Sequence, residues 1–285
     1  MELTRRLGRS LLCWFDSSAR PNFESEAKRI DWLRVTPFIA MHLACLSVFW
    51  VGASAQALAV AAGLFALRMF AITGFYHRYF SHRAFRTSRA AQVVFALLGA
   101  SALQRGPLWW ASHHRHHHAH ADQPEDAQSA RRHGFAWSHA GWFLAPAHFR
   151  TRMERVHDLA KFPELRWLDR FDTVVAIGLA ALLLAIDVQT FVWGFCVSTV
   201  ALYHATFTIN SLAHRFGSRR YATPDDSRTN FWLALLTFGE GWHNNPHHSP
   251  GAARQGERWW EIDLTWYGLR ALAALGLIWD LKERR

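Results

Sequence analysis

Four apolar runs, arranged as two close pairs, constrain this chain more than any other feature. Residues 35–54 and 57–75 make the first pair, joined by an uncharged link at Gly52 to Gln56. Residues 173–186 and 190–212 make the second, with Asp187 and Gln189 at the turn. A helix needs roughly 20 mostly apolar residues to cross the hydrocarbon core of a bilayer. The pattern therefore predicts two transmembrane hairpins, with 173–186 as the shortest arm. A fifth run, 91–103, is too short to span and is bracketed by Arg89 and Arg105. It reads as an amphipathic helix at the membrane interface. A last short apolar segment, 269–278, lies near the end of the chain. Arg68 falls inside the second run, where a charge is expensive unless it faces the bundle interior, so a structural role there is expected.

The charge map orients this arrangement. Lys and Arg number 32 against 22 Asp and Glu, a formal net charge of +10. Neither hairpin turn contains Lys or Arg; apart from Arg68, the positive residues lie in 1–34, 76–171 and 213–285. The positive-inside rule places those three segments in the cytoplasm. The fold class is thus an all-α integral membrane protein, with four transmembrane helices in two hairpins and a cytoplasmic helical cap. It is a single domain over 1–285, divided as 1–34, 35–75, 76–171, 172–212 and 213–285, with both termini cytoplasmic. Positive charge beside a membrane meets anionic headgroups or an anionic substrate. Nucleic acid is excluded as a partner because no binding motif accompanies the charge. Residues 1–34 lack the apolar core and cleavage site of a secretory signal. Three Cys without CxxC spacing exclude a disulfide scaffold. Fifteen Trp and 21 Phe exclude intrinsic disorder.

The 18 His are the compositional outlier, and three groups hold many of them. The first is His77-Arg-Tyr-Phe-Ser-His82. The second is His113-His114-Arg-His116-His117-His118, with His120 beyond. The third is His243-Asn-Asn-Pro-His247-His248. His214 stands alone just past the fourth run, four residues after Asn210. By the orientation above, all lie on one side of the membrane. Neutral imidazole is the commonest metal ligand and suits iron, zinc and copper. His114, His117 and His118 are at i, i+3 and i+4, one helix face. His77 and His82 are five apart, so one straight helix would point them in different directions; a bend, or a cation pair bridged from two sides, would reconcile them. Many neutral ligands with few carboxylates nearby point to more than one metal ion. A solvated His-rich tract would account for residues 113–120 taken alone, but not for the two short groups set among apolar residues. His42 and His204, inside runs, read as hydrogen-bonded helix-packing residues.

In this order and topology the groups resemble those of membrane fatty-acid desaturases of the acyl-CoA (stearoyl-CoA) delta-9 type, bacterial branch. The resemblance runs through Gly-Phe-Tyr-His77-Arg-Tyr-Phe-Ser-His82-Arg and Gly106-Pro-Leu-Trp-Trp-Ala-Ser-His-His114-Arg-His-His117-His118. It continues through Ser138-His-Ala-Gly-Trp142, Asn210-Ser-Leu-Ala-His214, Gly239-Glu-Gly-Trp-His243-Asn-Asn, Arg254-Gln-Gly and Trp259-Trp-Glu-Ile-Asp263. It implies two iron ions held by His77, His82, His114, His117, His118, His214 and His243, with Asn210 reaching one iron through water. It implies O2 as co-substrate and two electrons from a separate carrier of cytochrome b5 or ferredoxin type with its reductase, since this chain shows no haem- or cluster-binding segment. The implied reaction introduces a cis double bond, at delta-9, into a saturated acyl chain, with acyl-CoA as the expected substrate and acyl-lipid as the other carrier. The implied place is a bacterial inner membrane. Arg34 and Arg105 are candidates for the substrate headgroup, although generic inside charges need no such role.

The third group departs from the family's His-x-x-His-His. Its overall spacing to Pro250 is kept, but Pro246 occupies the family's middle His position. His247 is the next matching ligand and His248 is extra. Pro246 is expected to push Asn245 out of the helical region. Either His248 swings in as the replacement ligand, which is the expectation here, or one iron has one ligand fewer. Alternatives to a desaturase are an acyl hydroxylase on the same scaffold, a metal-binding or metal-transport membrane protein, and a desaturase-like chain without activity.

Overall fold

The computed structural model describes residues 11–18 and 30–283. Among the described residues, three helices are long and apolar enough to cross a membrane: α1 (Trp32–Val51), α2 (Ala55–Ser81) and α6 (Val188–Ser211). Between the second and third of these come α3 (Arg89–Ala100), α4 (Pro107–His120) and α5 (Val174–Ile186). After them come α7 (Asn244–His248) and α8 (Leu264–Ala274). Helix α5 has 13 residues, about 20 Å at 1.5 Å per residue, which is short of a hydrocarbon core of about 30 Å.

The first hairpin turns at Gly52, whose φ of 65° is left-handed and suits a residue without a Cβ. Ser54 then caps α2, accepting from the Ala57 N–H at 3.1 Å. At the second turn Asp187 caps α6, accepting from the Thr190 N–H at 2.8 Å. The two tips are tied together: the Gln189 side chain donates to the Val51 carbonyl and the Trp193 indole to that of Gly52, both at 2.7 Å. The hairpins therefore stand side by side with their turns at one end. Leu43, Phe49 and Leu182 are 61%, 81% and 62% exposed, a surface suited to lipid rather than water. Trp32 and Trp50 are also exposed and sit about 27 Å apart along α1, the spacing of two interfacial belts.

Arg68 is fully buried in this bundle. It donates to Thr199 Oγ1 at 2.7 Å, to Ser198 Oγ at 2.6 Å and to the Leu64 carbonyl at 3.1 Å. It thus bonds α2 to α6 across the interior. His42 and His204 bond to each other at 3.0 Å, and His204 bonds onward to His139 at 3.0 Å.

Helix α2 crosses the boundary expected at residue 75 and continues to Ser81. The apolar pattern ends near Phe75, but Thr73, His77, Arg78 and Ser81 remain buried. They face protein rather than lipid, so a hydropathy boundary is not a helix boundary here. Arg78 shows why the extension is stable. Its guanidinium donates to Asp263 at 2.9 and 3.1 Å, to Glu240 at 3.2 Å and to the Ala253 carbonyl at 2.7 Å. That cluster fastens the C-terminal segment onto α2. The segment after α8 is further fixed by a two-stranded antiparallel ribbon, Arg86–Thr87 with Ile278–Trp279. Helix α3 packs Phe95 on Phe75 at 3.8 Å between ring centroids and leaves Val94 and Leu97 exposed. It is one-sided, as an interfacial helix is.

Candidate metal centre

The chain from Ala71 to Ser81 is a π-helix, bonded i to i+5. The His82 N–H continues that pattern, donating to the His77 carbonyl at 3.2 Å. Residues five apart therefore come onto one face, and this reconciles the spacing of the first group without a kink. His82 Nε2 lies 3.1 Å from His77 Nε2 and 2.8 Å from His114 Nε2.

Helix α4 supplies the second group. Its N-terminus is fixed by Asp169, which accepts from the Trp109 N–H at 2.7 Å. His114, His117 and His118 share a face, while His113, His116 and His120 turn away to the carbonyls of Arg150, Glu125 and His116. The shared face serves two clusters. His77, His82, His114 and His118 form one; His117, His214, His243 and His247 form the other. Within each, ligand atoms lie within 4.8 Å of one another. The clusters adjoin: the rings of His118 and His247 are 4.4 Å apart and those of His117 and His118 are 5.6 Å apart.

Four carboxylates set the tautomers. Glu240 accepts from His77 Nδ1 at 2.5 Å, Asp126 from His117 at 3.0 Å, Asp122 from His214 at 3.1 Å and Asp225 from His247 at 2.9 Å. With the proton held on Nδ1, the Nε2 lone pair of each ring faces its cluster. The buried Nε2 atoms of His117, His118 and His247 and Nδ1 of His243 have no hydrogen-bond partner. Burial pushes His82, His114, His118 and His243 well below the ordinary imidazole range, toward the neutral form that binds metal. Burial also lowers His247, to about 4, against the pull of Asp225. At His117 burial is outweighed by Asp126, and its pKa is raised. Two all-imidazole clusters, backed by carboxylates and holding unpartnered lone pairs, fit two metal ions of borderline softness, iron among them.

These carboxylates are the residues that sequence reasoning missed. The tract beyond His120 carries Asp122 and Asp126, and the flank of the third group carries Glu240. Their acidity so close to a His group was the available signal. The expected scarcity of carboxylates holds for the clusters themselves but not for the layer behind them.

His248 is corrected. It is exposed and outside both clusters, its ring stacked on Tyr221 at 4.2 Å and 8°. Asn245 is corrected as well: it lies within the short helix α7. Pro246 falls in the first turn of that helix, where a missing N–H costs nothing. The turn carries His247 back over His243, ring to ring at 4.4 Å, and leaves His248 facing outward.

A cavity of about 660 Å³ touches both clusters, at His77 and His114 and at His117 and His243. It continues between apolar side chains of the long helices, among them Met41, Ile72 and Phe195. Asn210, Arg34 and Arg105 also line it. Arg34 is stacked over the Phe149 ring at 4.1 Å and its buried Nη2 has no partner. Arg105 lies 3.2 Å from Asp172 and donates to the Phe149 carbonyl at 3.1 Å.

The chain is similar to known proteins. The family model for fatty acid desaturase matches residues 52–280. The sn-1 stearoyl-lipid 9-desaturase of Anabaena variabilis is 36% identical over 266 residues, 90% of this chain and 96% of that protein. The sn-2 palmitoyl-lipid 9-desaturase of Nostoc sp. (strain 36) is 38% identical, over 87% of this chain and 89% of its own length. An acyl-CoA 5-desaturase of Anemone leveillei is 37% identical, over 94% of this chain and 87% of that one.

Proposed function

We propose that this chain, which belongs to the fatty acid desaturase family, introduces a cis double bond at the delta-9 position of a saturated acyl chain. The reading rests above all on one observation: a single apolar cavity touches both His clusters and runs on among spanning-helix side chains. That is the shape required to hold a flexible chain beside an oxidant. Two iron ions in the clusters supply, with O2 and two electrons from a separate carrier, the strength to remove hydrogen from unactivated carbon. The protein's own part is positional. The four carboxylates keep the ligating rings oriented and in one tautomer. The apolar walls exclude water and fix which carbon lies against the clusters. Arg34 and Arg105 hold the anionic or ester end of the substrate.

In the membrane, α5 completes a second hairpin with α6, giving four spans. The tips face away from the cytoplasm, and the clusters, the cap and both termini face it, in accordance with the charge map. The acyl carrier is a membrane glycerolipid, as the names of the Anabaena and Nostoc relatives favour. A second reading, acyl-CoA, is favoured by the Anemone relative and by the two cavity arginines.

The test is expression in a desaturase-deficient host, with gas chromatography–mass spectrometry that locates double bonds. A new delta-9 monounsaturated acid, appearing first in glycerolipid and not formed from acyl-CoA by purified protein, is the expected result. Formation from acyl-CoA selects the second reading. A hydroxy acid, or no product from protein that holds two irons and receives electrons, overturns desaturation.

A further inference from the structure

The reaction proposed above needs two electrons per turnover from outside the chain, and the structure offers a place for their entry. His247 is a member of the second cluster, its side chain 1% exposed, and its ring also lies 4.4 Å from His118 of the first. The next residue, His248, is exposed and stacked on half-buried Tyr221. One peptide bond thus separates a surface imidazole from a ring that touches both clusters.

The stack is rigidly mounted. The Tyr221 hydroxyl donates to Glu257 at 2.6 Å and its N–H to Asn244 Oδ1 at 2.7 Å. Asn244 in turn donates to the carbonyls of Tyr221 and Ser227 at 3.2 and 3.1 Å. The third His group and the Tyr221 loop are therefore one unit, and the rings need not move to meet a partner.

The carboxylates of this unit are engaged: Glu257 and Glu261 by Arg220, Asp225 by His247 and Asp226 by Arg131 at 3.8 Å. Arg254 and Arg258 flank Glu257 in sequence and are exposed, as is Arg219 beside Arg220. Charge of one sign around a fixed contact point steers an oppositely charged protein to it.

We propose that the His248–Tyr221 stack, with exposed Arg254 and Arg258 on the segment that carries Glu257, the partner of Tyr221, is the docking point at which an acidic one-electron carrier protein reduces the metal centre. In each encounter the reduced carrier gives up one electron and leaves oxidised, and one ferric ion becomes ferrous; two encounters supply a turnover. The inference rests on the proposed di-iron reading. It also gives His248 a role that ligation does not.

The probe is reduced plant-type [2Fe–2S] ferredoxin, mixed without oxygen with the full iron-loaded chain and followed by its own absorbance. Arg254→Glu combined with Arg258→Glu should slow the second-order reaction roughly tenfold at low salt, with the difference closing at high ionic strength. His248→Ala should slow transfer at saturating ferredoxin roughly tenfold, while iron content and reduction by dithionite stay at wild-type values. His248→Phe, which keeps a stacking ring, should recover most of that rate. Unchanged transfer in the charge-reversed chain and in His248→Ala overturns the proposal. So does iron loss in His248→Ala, which would make His248 a ligand, and so does an absence of transfer from ferredoxin to the wild-type chain. A wild-type chain that accepts these electrons at the stack yet forms no double bond fails the proposed function alone.

Discussion

Replacing Asp225 by Asn isolates what a carboxylate does behind a ligating histidine. Its two oxygens have separate duties. Oδ1 accepts from the Ser227 N–H at 2.9 Å and from the Thr223 hydroxyl at 3.1 Å, and Oδ2 accepts from His247 Nδ1 at 2.9 Å. An Asn keeps the first duty with its carbonyl and reverses the second. Its amide donates to Nδ1, so the His247 proton moves to Nε2, the buried nitrogen that faces the second cluster. A metal must then displace that proton or forfeit the hydrogen bond. Loss of such a partner lowers metal affinity by about 10- to 100-fold, or about 1.4–2.7 kcal/mol. The first cluster has no bond to Asp225 and should keep its ion. The assay is iron per chain by mass spectrometry after equilibration against a graded chelator, with elution volume as the check on folding. One of two irons should become removable at 10- to 100-fold lower chelator strength. Wild-type retention of both irons refutes the tautomer argument. Equal weakening of both refutes the assignment of His247 to one cluster.

Four further outcomes are expected. Arg78→Met leaves Asp263 and Glu240 buried without their cation, and thermal unfolding in detergent should show a loss of about 3–5 kcal/mol; a loss below about 1 kcal/mol contradicts the cluster's role. Burial pushes the Asp169 carboxyl up to about 6, so the folded chain keeps a proton that the unfolded chain releases near pH 4. Its contribution is full below about pH 4 and is lost as pH rises through 6, at most about 3 kcal/mol. Asp169→Asn should therefore flatten the melting-temperature profile between those values, and a wild-type slope in the variant refutes this. A Cβ on Gly106 would stand 2.4 Å from the Asp169 Cα, so Gly106→Ala should displace α4 and cost about 1–3 kcal/mol, with iron lost in parallel; unaltered iron content counts against α4 as the shared support. His114→Ala and His117→Ala each remove a ring from a different cluster, and each should abolish product formation without removing the protein from the membrane; full activity in either variant sinks that cluster.

The sequence carried the apolar runs and the His groups openly, because both depend on residue type at short range. Hydropathy located α1, α2 and α6; it ended α2 too early, at Thr73 to Ser81, where burial in protein takes over from burial in lipid, and the arm it marked at 173–186 is a helix of 13 residues, short of a span. The π-helix was not legible, since Ala71 to Ser81 has no composition that separates i+5 from i+4 bonding; only the five-residue spacing of His77 and His82 pointed to it. The partners of the ligands were hidden by distance. Glu240 reaches His77 from 163 residues away and Asp122 reaches His214 from 92. Whether His248 joins His247 as a ligand depends on how the turn through Pro246 is wound, which spacing alone does not determine.

The winding of α2 has a consequence for how such a chain can vary. One helix carries lipid-facing residues at its start and metal-facing imidazoles at its end. Deleting a single residue from its α-helical part, Ala55–Phe70, would rotate one end against the other by about 100°. Either the imidazole would leave its cluster or an apolar stripe would leave the lipid. Exchanges of one residue for another can accumulate along this helix, but changes of length cannot. The membrane span and the first His group are in phase, and natural variants should preserve the count of residues between them even where they preserve few of the residues.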